Sequence, residues 1–162
     1  TLIAGPSSGF QYSIFILLIY PFIPAKSKYM IRDCKIISEK FNIPFKFNSN
    51  FPINSISMMR GIYFAQKKNK LFEYINSFFD AYWKDGLNLS EVKNIELVLN
   101  NVLIDIKEFN SFIADSKIKE KLKEETNIAY DKGIFGAPSF IVNNKLFWGQ
   151  DRIEFVLKEI KK

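Results

Sequence analysis

Apolar residues recur at three- and four-residue spacing through the middle of this chain and gather into short continuous runs only near its two ends. Tyr29, Met30, Cys34, Ile37 and Phe41 form one such stripe and predict a helix over 25–41. Met58, Met59, Ile62, Tyr63 and Ala65 predict a second helix ending near Gln66, with Asn54 or Ser55 as its N-cap. Phe72, Ile75, Phe78, Phe79, Tyr82 and Trp83 give the clearest amphipathic pattern, a helix over 71–83 closed by Asp85-Gly86. Ser90 is read as opening a helix over 91–103, Asp105 a short one to Ala114, and Ser116 one over 118–132 closed by Gly133. Between the first two helices, 42–54 is too rich in Asn and Pro to be helical and is expected to be extended.

The ends carry strand signals. Ile14 to Tyr20 is β-branched and aromatic, follows the turn material Gly5-Pro6-Ser7-Ser8-Gly9 and is stopped by Pro21, so a buried strand is expected there. The run is too short to span a bilayer. It also lacks the basic flank and small-residue cleavage site of a signal peptide. At the other end, Ser139-Phe140-Ile141-Val142 and Lys145-Leu146-Phe147-Trp148 flank Asn143-Asn144. Asn tolerates the positive φ of a tight turn, so this is a two-residue hairpin signal. Helices in the middle with strands at both ends describe an α/β domain carrying a helical insertion.

Composition narrows the chemistry. The 162 residues suit one domain, 1–162, and the 17 Phe point to bulky packing between helices. The net charge of +6 comes from lysines interspersed with Asp and Glu, which favours a solvated surface over a nucleic-acid footprint. Histidine is absent, which excludes Ser-His-Asp and Cys-His catalysis and nearly all zinc chemistry within these residues. Cys34 is the single cysteine, so a CxxC redox pair is excluded too. Its place on a helical stripe favours a small core residue over a reactive thiol. A lone thiol suits a reducing compartment, and a cytoplasmic protein that engages neither membrane nor nucleic acid is expected.

The C-terminal run holds the candidate chemistry. Pro138 stands just before the first hairpin strand, and the Ala137–Pro138 bond is a candidate for the cis form. A cis bond there would turn the Ala137 backbone outward, where it can pair with an extended peptide-like ligand. Beyond the hairpin, Gly149-Gln150-Asp151 begins a helix over 152–161, and Asp151 with Glu154 resembles a capping box. A helix start suits a carboxylate, and an Asp beside it can hold an ammonium group. Asp151 therefore has two readings, a helix cap alone or one half of an amino-acid-head site. Trp148 is either core or the wall of a ligand groove.

These residues carry a resemblance. Gly133-Ile134-Phe135-Gly136-Ala137-Pro138-Ser139-Phe140 with Phe147-Trp148-Gly149-Gln150-Asp151-Arg152 resembles the C-terminal signature of 2-hydroxychromene-2-carboxylate isomerases, which group with kappa-class glutathione transferases in the DsbA-like thioredoxin superfamily. Pro24-Ala25-Lys26-Ser27-Lys28-Tyr29-Met30, Phe51-Pro52-Ile53-Asn54-Ser55 with Met59-Arg60, and the segment 76–86 agree with it. The resemblance implies a thioredoxin-like α/β fold, with a large all-helical insertion over about 26–133 and a C-terminal ββα motif over 134–162. It implies glutathione as cofactor, bound by Ala137, Pro138, Trp148, Gly149, Gln150 and Asp151. It places Lys26, Asn54 and Ser55 near a small aromatic carboxylate substrate, although Lys26 is read equally well as a solvated lysine. Metal ligands are not implied, and a homodimer is left open.

The family's opening differs. Its members begin with a strand and an Asp-Phe-x-Ser-Pro-type turn whose serine faces the glutathione sulfur, and this chain has no such segment. Ser7 and Ser8 are not accepted in its place, so no catalytic residue is assigned. On this alignment the fold is incomplete at the N-terminus, as a truncated or frame-disturbed product would be. The implied activity is glutathione-dependent isomerisation of an aromatic-catabolism intermediate. The alternatives are a kappa-like transfer of glutathione, or a remnant without turnover that at most binds glutathione.

Overall fold

A computed structural model of the chain describes residues 24–162; the expected strand over 14–20 and Ser7 and Ser8 lie outside the described residues. Six helices come first: α1 (Pro24–Lys40), α2 (Ile56–Lys67), α3 (Leu71–Trp83), α4 (Val92–Asn101), α5 (Ile106–Ala114) and α6 (Ser116–Asp131). The antiparallel hairpin β1 (Ser139–Val142) and β2 (Lys145–Trp148) follows, then a 3-10 turn (Gln150–Arg152) and α7 (Ile153–Ile160). The described residues divide into two compact units, 24–119 and 120–162.

The core of the first unit lies among α2, α3, α4 and α5. Ala65, Leu99, Phe109, Tyr74 and Val98 are all nearly inaccessible, and the rings of Phe64, Tyr74, Phe78 and Phe109 meet edge-on or tilted at centroid distances of 4.5 to 6.3 Å. Such geometries add to simple area burial, which answers the expectation drawn from the Phe content. The Tyr74 hydroxyl, buried with its ring, donates to the Met58 carbonyl at 2.9 Å, and burial raises its pKa. Gly61 on α2 faces that hydroxyl and the Phe109 ring so closely that a Cβ would collide with both. The Lys70 ammonium reaches the Val102 carbonyl at 2.7 Å and the Leu103 carbonyl at 3.2 Å, satisfying groups that the end of α4 leaves open.

Helix α3 has the bounds its periodicity predicts, and Gly86 beyond it takes φ 74°. Asp105 caps α5 by accepting the Glu108 N–H at 2.8 Å. Other starts differ in detail. Ser55 holds the cap position of α2 without a side-chain bond, while Asn54 Oδ1 accepts the Ile56 N–H at 3.1 Å. Helix α4 begins at Val92, and the residue organising its entry is Asn88 rather than Ser90: Asn88 Oδ1 accepts the Ser90 N–H and its amide donates to Glu91.

Helix α1 corrects one expectation. None of its residues is buried, and Cys34 is exposed. Helical spacing of apolar side chains fixes the helix, but a stripe becomes core only where another element packs on it, as happens for α2 to α5. Burial of part of the thiol surroundings and the charge of Asp33 raise the Cys34 pKa, so it stands in its thiol form.

Candidate functional site

The hairpin turn is made by Asn143 and Asn144 at φ 49° and 61°, the positive pair that a two-residue turn of the I′ kind requires. This fixes the register Val142↔Lys145, Ile141↔Leu146, Phe140↔Phe147 and Ser139↔Trp148. One step further, the Gly149 N–H donates to the Pro138 carbonyl at 3.0 Å. The residues expected to bind glutathione thereby meet at the open end of the hairpin: Ala137 and Pro138 just before β1, and Trp148 at the end of β2 followed by Gly149, Gln150 and Asp151.

The Ala137–Pro138 bond is cis. Ala137 and Pro138 are half-buried, and among the described residues the Ala137 N–H and C=O carry no hydrogen bond. The Ser139 hydroxyl donates to the Gly136 carbonyl at 2.5 Å and braces the loop from below. Trp148 is 46% exposed and stacks obliquely on Phe135 at 5.2 Å, so it is not a core residue.

Asp151 corrects the capping-box expectation. It lies inside the 3-10 turn, whose cap position is Gly149, while Arg152 precedes α7; neither cap makes a side-chain bond. The chain enters α7 through that tight turn, which moves Asp151 off the cap. Its carboxylate pairs with Arg152 Nη1 at 2.6 Å and folds back onto Gly149, filling the space where a Cβ would stand. Gly149 at φ 107° and ψ 146° occupies a region open only to glycine. The result is a narrow backbone step with an exposed carboxylate at its edge.

Behind the hairpin, Glu159 of α7 is a buried carboxylate. It accepts from Lys145 Nζ at 2.9 Å, Lys162 Nζ at 3.0 Å and, weakly, the Asn143 amide, while its backbone carbonyl accepts from Asn143 at 3.1 Å. The two ammonium groups outweigh desolvation and hold the Glu159 pKa down at about 2. Sequence reasoning missed this cluster: Glu159 and Lys162 are three residues apart at the end of α7, but Lys145 reaches Glu159 only because the hairpin lies against that helix.

The expected substrate residues belong to the other unit. Lys26 is exposed in the first turn of α1. Asn54 and Ser55 adjoin each other just before α2, after the cis bond Phe51–Pro52. Arg60 follows on α2, and its Nε is buried with no hydrogen-bond partner among the described residues. Among those residues, acidic, Cys and His side chains form no cluster that could hold a metal, and no helix is long and apolar enough to cross a membrane.

Comparison with known proteins agrees with this architecture. The model of the DSBA-like thioredoxin domain matches residues 3–161. A 2-hydroxychromene-2-carboxylate isomerase of Pseudomonas sp. (strain C18) is 29% identical over 128 residues, which is 79% of this chain and 59% of that protein. One of Pseudomonas putida is 26% identical over 131 residues, 81% of this chain and 64% of that protein. The chain thus spans about three-fifths of the length of these relatives. A solved 2-hydroxychromene-2-carboxylate isomerase superposes with a TM-score of 0.74 at 25% identity, covering 85% of this chain and 67% of that one. With helices from α1 to α6, a small two-stranded sheet and a final helix, the chain belongs to the DSBA-like thioredoxin domain family.

Proposed function

We propose that this chain binds glutathione across Ala137–Pro138 and Gly149–Asp151 and serves a glutathione-dependent isomerisation of a small aromatic carboxylate, in the manner suggested by the names of its relatives. The observation that carries the reading is the hairpin register. It brings Pro138 against Gly149, so that the Ala137 N–H and C=O, which carry no hydrogen bond among the described residues, adjoin the glycine step that leads to Asp151, a set of donor, acceptor and negative charge suited to an extended γ-glutamyl peptide.

In this reading the Ala137 N–H and C=O pair with the peptide backbone of the tripeptide. The first N–H groups of the 3-10 turn, which have no partner inside it, receive the γ-glutamyl carboxylate. Asp151 holds the ammonium group beside it, sharing its charge with Arg152. Trp148 and Phe135 wall the groove and exclude water from one side. Bound glutathione supplies a thiol nucleophile that is returned unchanged. Lys26 attracts the substrate carboxylate, while Asn54 and Ser55 offer uncharged hydrogen-bonding groups to its oxygens. The unpaired Cys34 favours the cytoplasm as location.

Isothermal titration of glutathione into the wild type and Asp151→Ala is the direct test. A charge-assisted hydrogen bond contributes about 1.5–3 kcal/mol, so the variant is expected to bind at least about tenfold more weakly. Equal affinities would reject the role given to this carboxylate. Thiol titration during turnover then separates reaction types: constant glutathione fits isomerisation, and one-for-one loss would replace it with transfer.

A further inference from the structure

Asn48 is the one polar residue of the connector 42–54 that is fully enclosed, at 1% exposure. Its amide nitrogen donates to the Tyr82 and Leu87 carbonyls, both at 2.9 Å, at the end of α3 and in the loop after it. Its Oδ1 accepts the Asn50 N–H at 2.9 Å and the Asn50 side-chain amide at 3.1 Å. Both donors and both lone-pair positions of the amide are thus in use. The backbone on either side is tied as well: the Lys46 N–H donates to the Trp83 carbonyl at 2.5 Å, and the Phe51 N–H to the Asn48 carbonyl at 3.1 Å. Around this hub Phe45, Phe47 and Phe51 gather on Trp83 at 5.5 to 6.1 Å.

Downstream the chain has little freedom left. Phe51 and Ile53 pack on the core, and Asn54 Oδ1 takes the first N–H of α2. Asn54 and Ser55 are therefore held from one side by α2 and from the other by the anchored segment. We infer that Asn48 is a positioning residue: it fixes the path of the connector so that Asn54 and Ser55 present their side chains in one arrangement to the aromatic carboxylate. This inference rests on the reading that Asn54 and Ser55 contact that substrate. An apolar residue at 48 would strip the Tyr82 and Leu87 carbonyls of their partner, and Asp would set a negative charge against them.

The test compares wild type with Asn48→Ser, which removes both donors, and Asn50→Ala, which removes one bond of the hub from an exposed position and leaves folding safe. Two readouts are taken on each. Amide hydrogen exchange at Phe51 and Ile56 is expected to rise about tenfold in Asn48→Ser and about threefold in Asn50→Ala, with Tyr74 and Leu99 unchanged. Calorimetry with 2-hydroxychromene-2-carboxylate on glutathione-saturated protein is expected to show about tenfold weaker binding in Asn48→Ser, with glutathione affinity preserved, since misplaced contacts act on the ligand they touch. Uniformly faster exchange at all four amides, or equal loss of both ligands, would reduce Asn48 to a general folding role and overturn the inference. Wild-type substrate binding that both variants retain unchanged would overturn the role of Asn48 alone. A wild type that does not bind the carboxylate would overturn the substrate reading on which the inference stands.

Discussion

Gly61 shows how much one missing atom controls. Alanine in a helix is favoured over glycine by about 1 kcal/mol, but here its methyl would drive into the Tyr74 hydroxyl and the Phe109 ring. The hydroxyl cannot retreat without losing the Met58 carbonyl, a bond worth about 1 kcal/mol, and overpacking adds about 1–3 kcal/mol. Gly61→Ala is therefore expected to lose about 2 kcal/mol net in urea denaturation; an unchanged or higher stability would refute the packing described. Nothing in the sequence announces this, because a glycine inside a helical pattern reads only as a weak helix former. Asp151 was legible as a residue facing a helix start and illegible as to how. The Asp-x-x-Glu spacing suits a cap, yet a 3-10 turn preceding α7 displaces it, and that choice is made by Gly149, whose φ no local pattern specifies.

Elements whose structure is decided locally were the most readable. The Asn143-Asn144 turn and both strands follow from the alternation and turn residues on the spot, and α3 from its strong stripe. Elements decided by distant partners were not. The sequence of the connector 42–54 predicts an extended segment, but its anchoring depends on the carbonyls of Tyr82 and Leu87, which no local pattern specifies. The same holds for the tie between hairpin and α7. Glu159 has its pKa lowered from the ordinary 4.5 to about 2 by Lys145 and Lys162. A carboxylate depressed in the folded state stabilises above its unfolded pKa and loses that contribution as pH falls toward its folded one. The stability of the wild type relative to Glu159→Gln is thus expected to be constant above about pH 5 and to shrink between about 4.5 and 2 in pH-dependent denaturation. A difference independent of pH across that window would contradict the assignment.

For the molecule as a whole, burial is uneven. Helices α2 to α5 share the core cluster, whereas α1 and α6 contain no buried residue. Backbone amides of α2 and α3 are expected to exchange at least about a hundredfold more slowly than those of α1 and α6 in hydrogen-exchange mass spectrometry; comparable protection throughout would contradict this division. The net charge of +6 adds a general attraction for anions, which a tripeptide with two carboxylates shares with many other ligands, so charge alone cannot distinguish the site. Location can. Amide NMR spectra recorded while glutathione is added test the account most directly. The account predicts that the signals of Ala137, Gly149, Gln150 and Asp151 shift together and saturate, with those of α4 and α5 unmoved. Shifts confined to lysine-rich helix surfaces, or none at the hairpin, would contradict it.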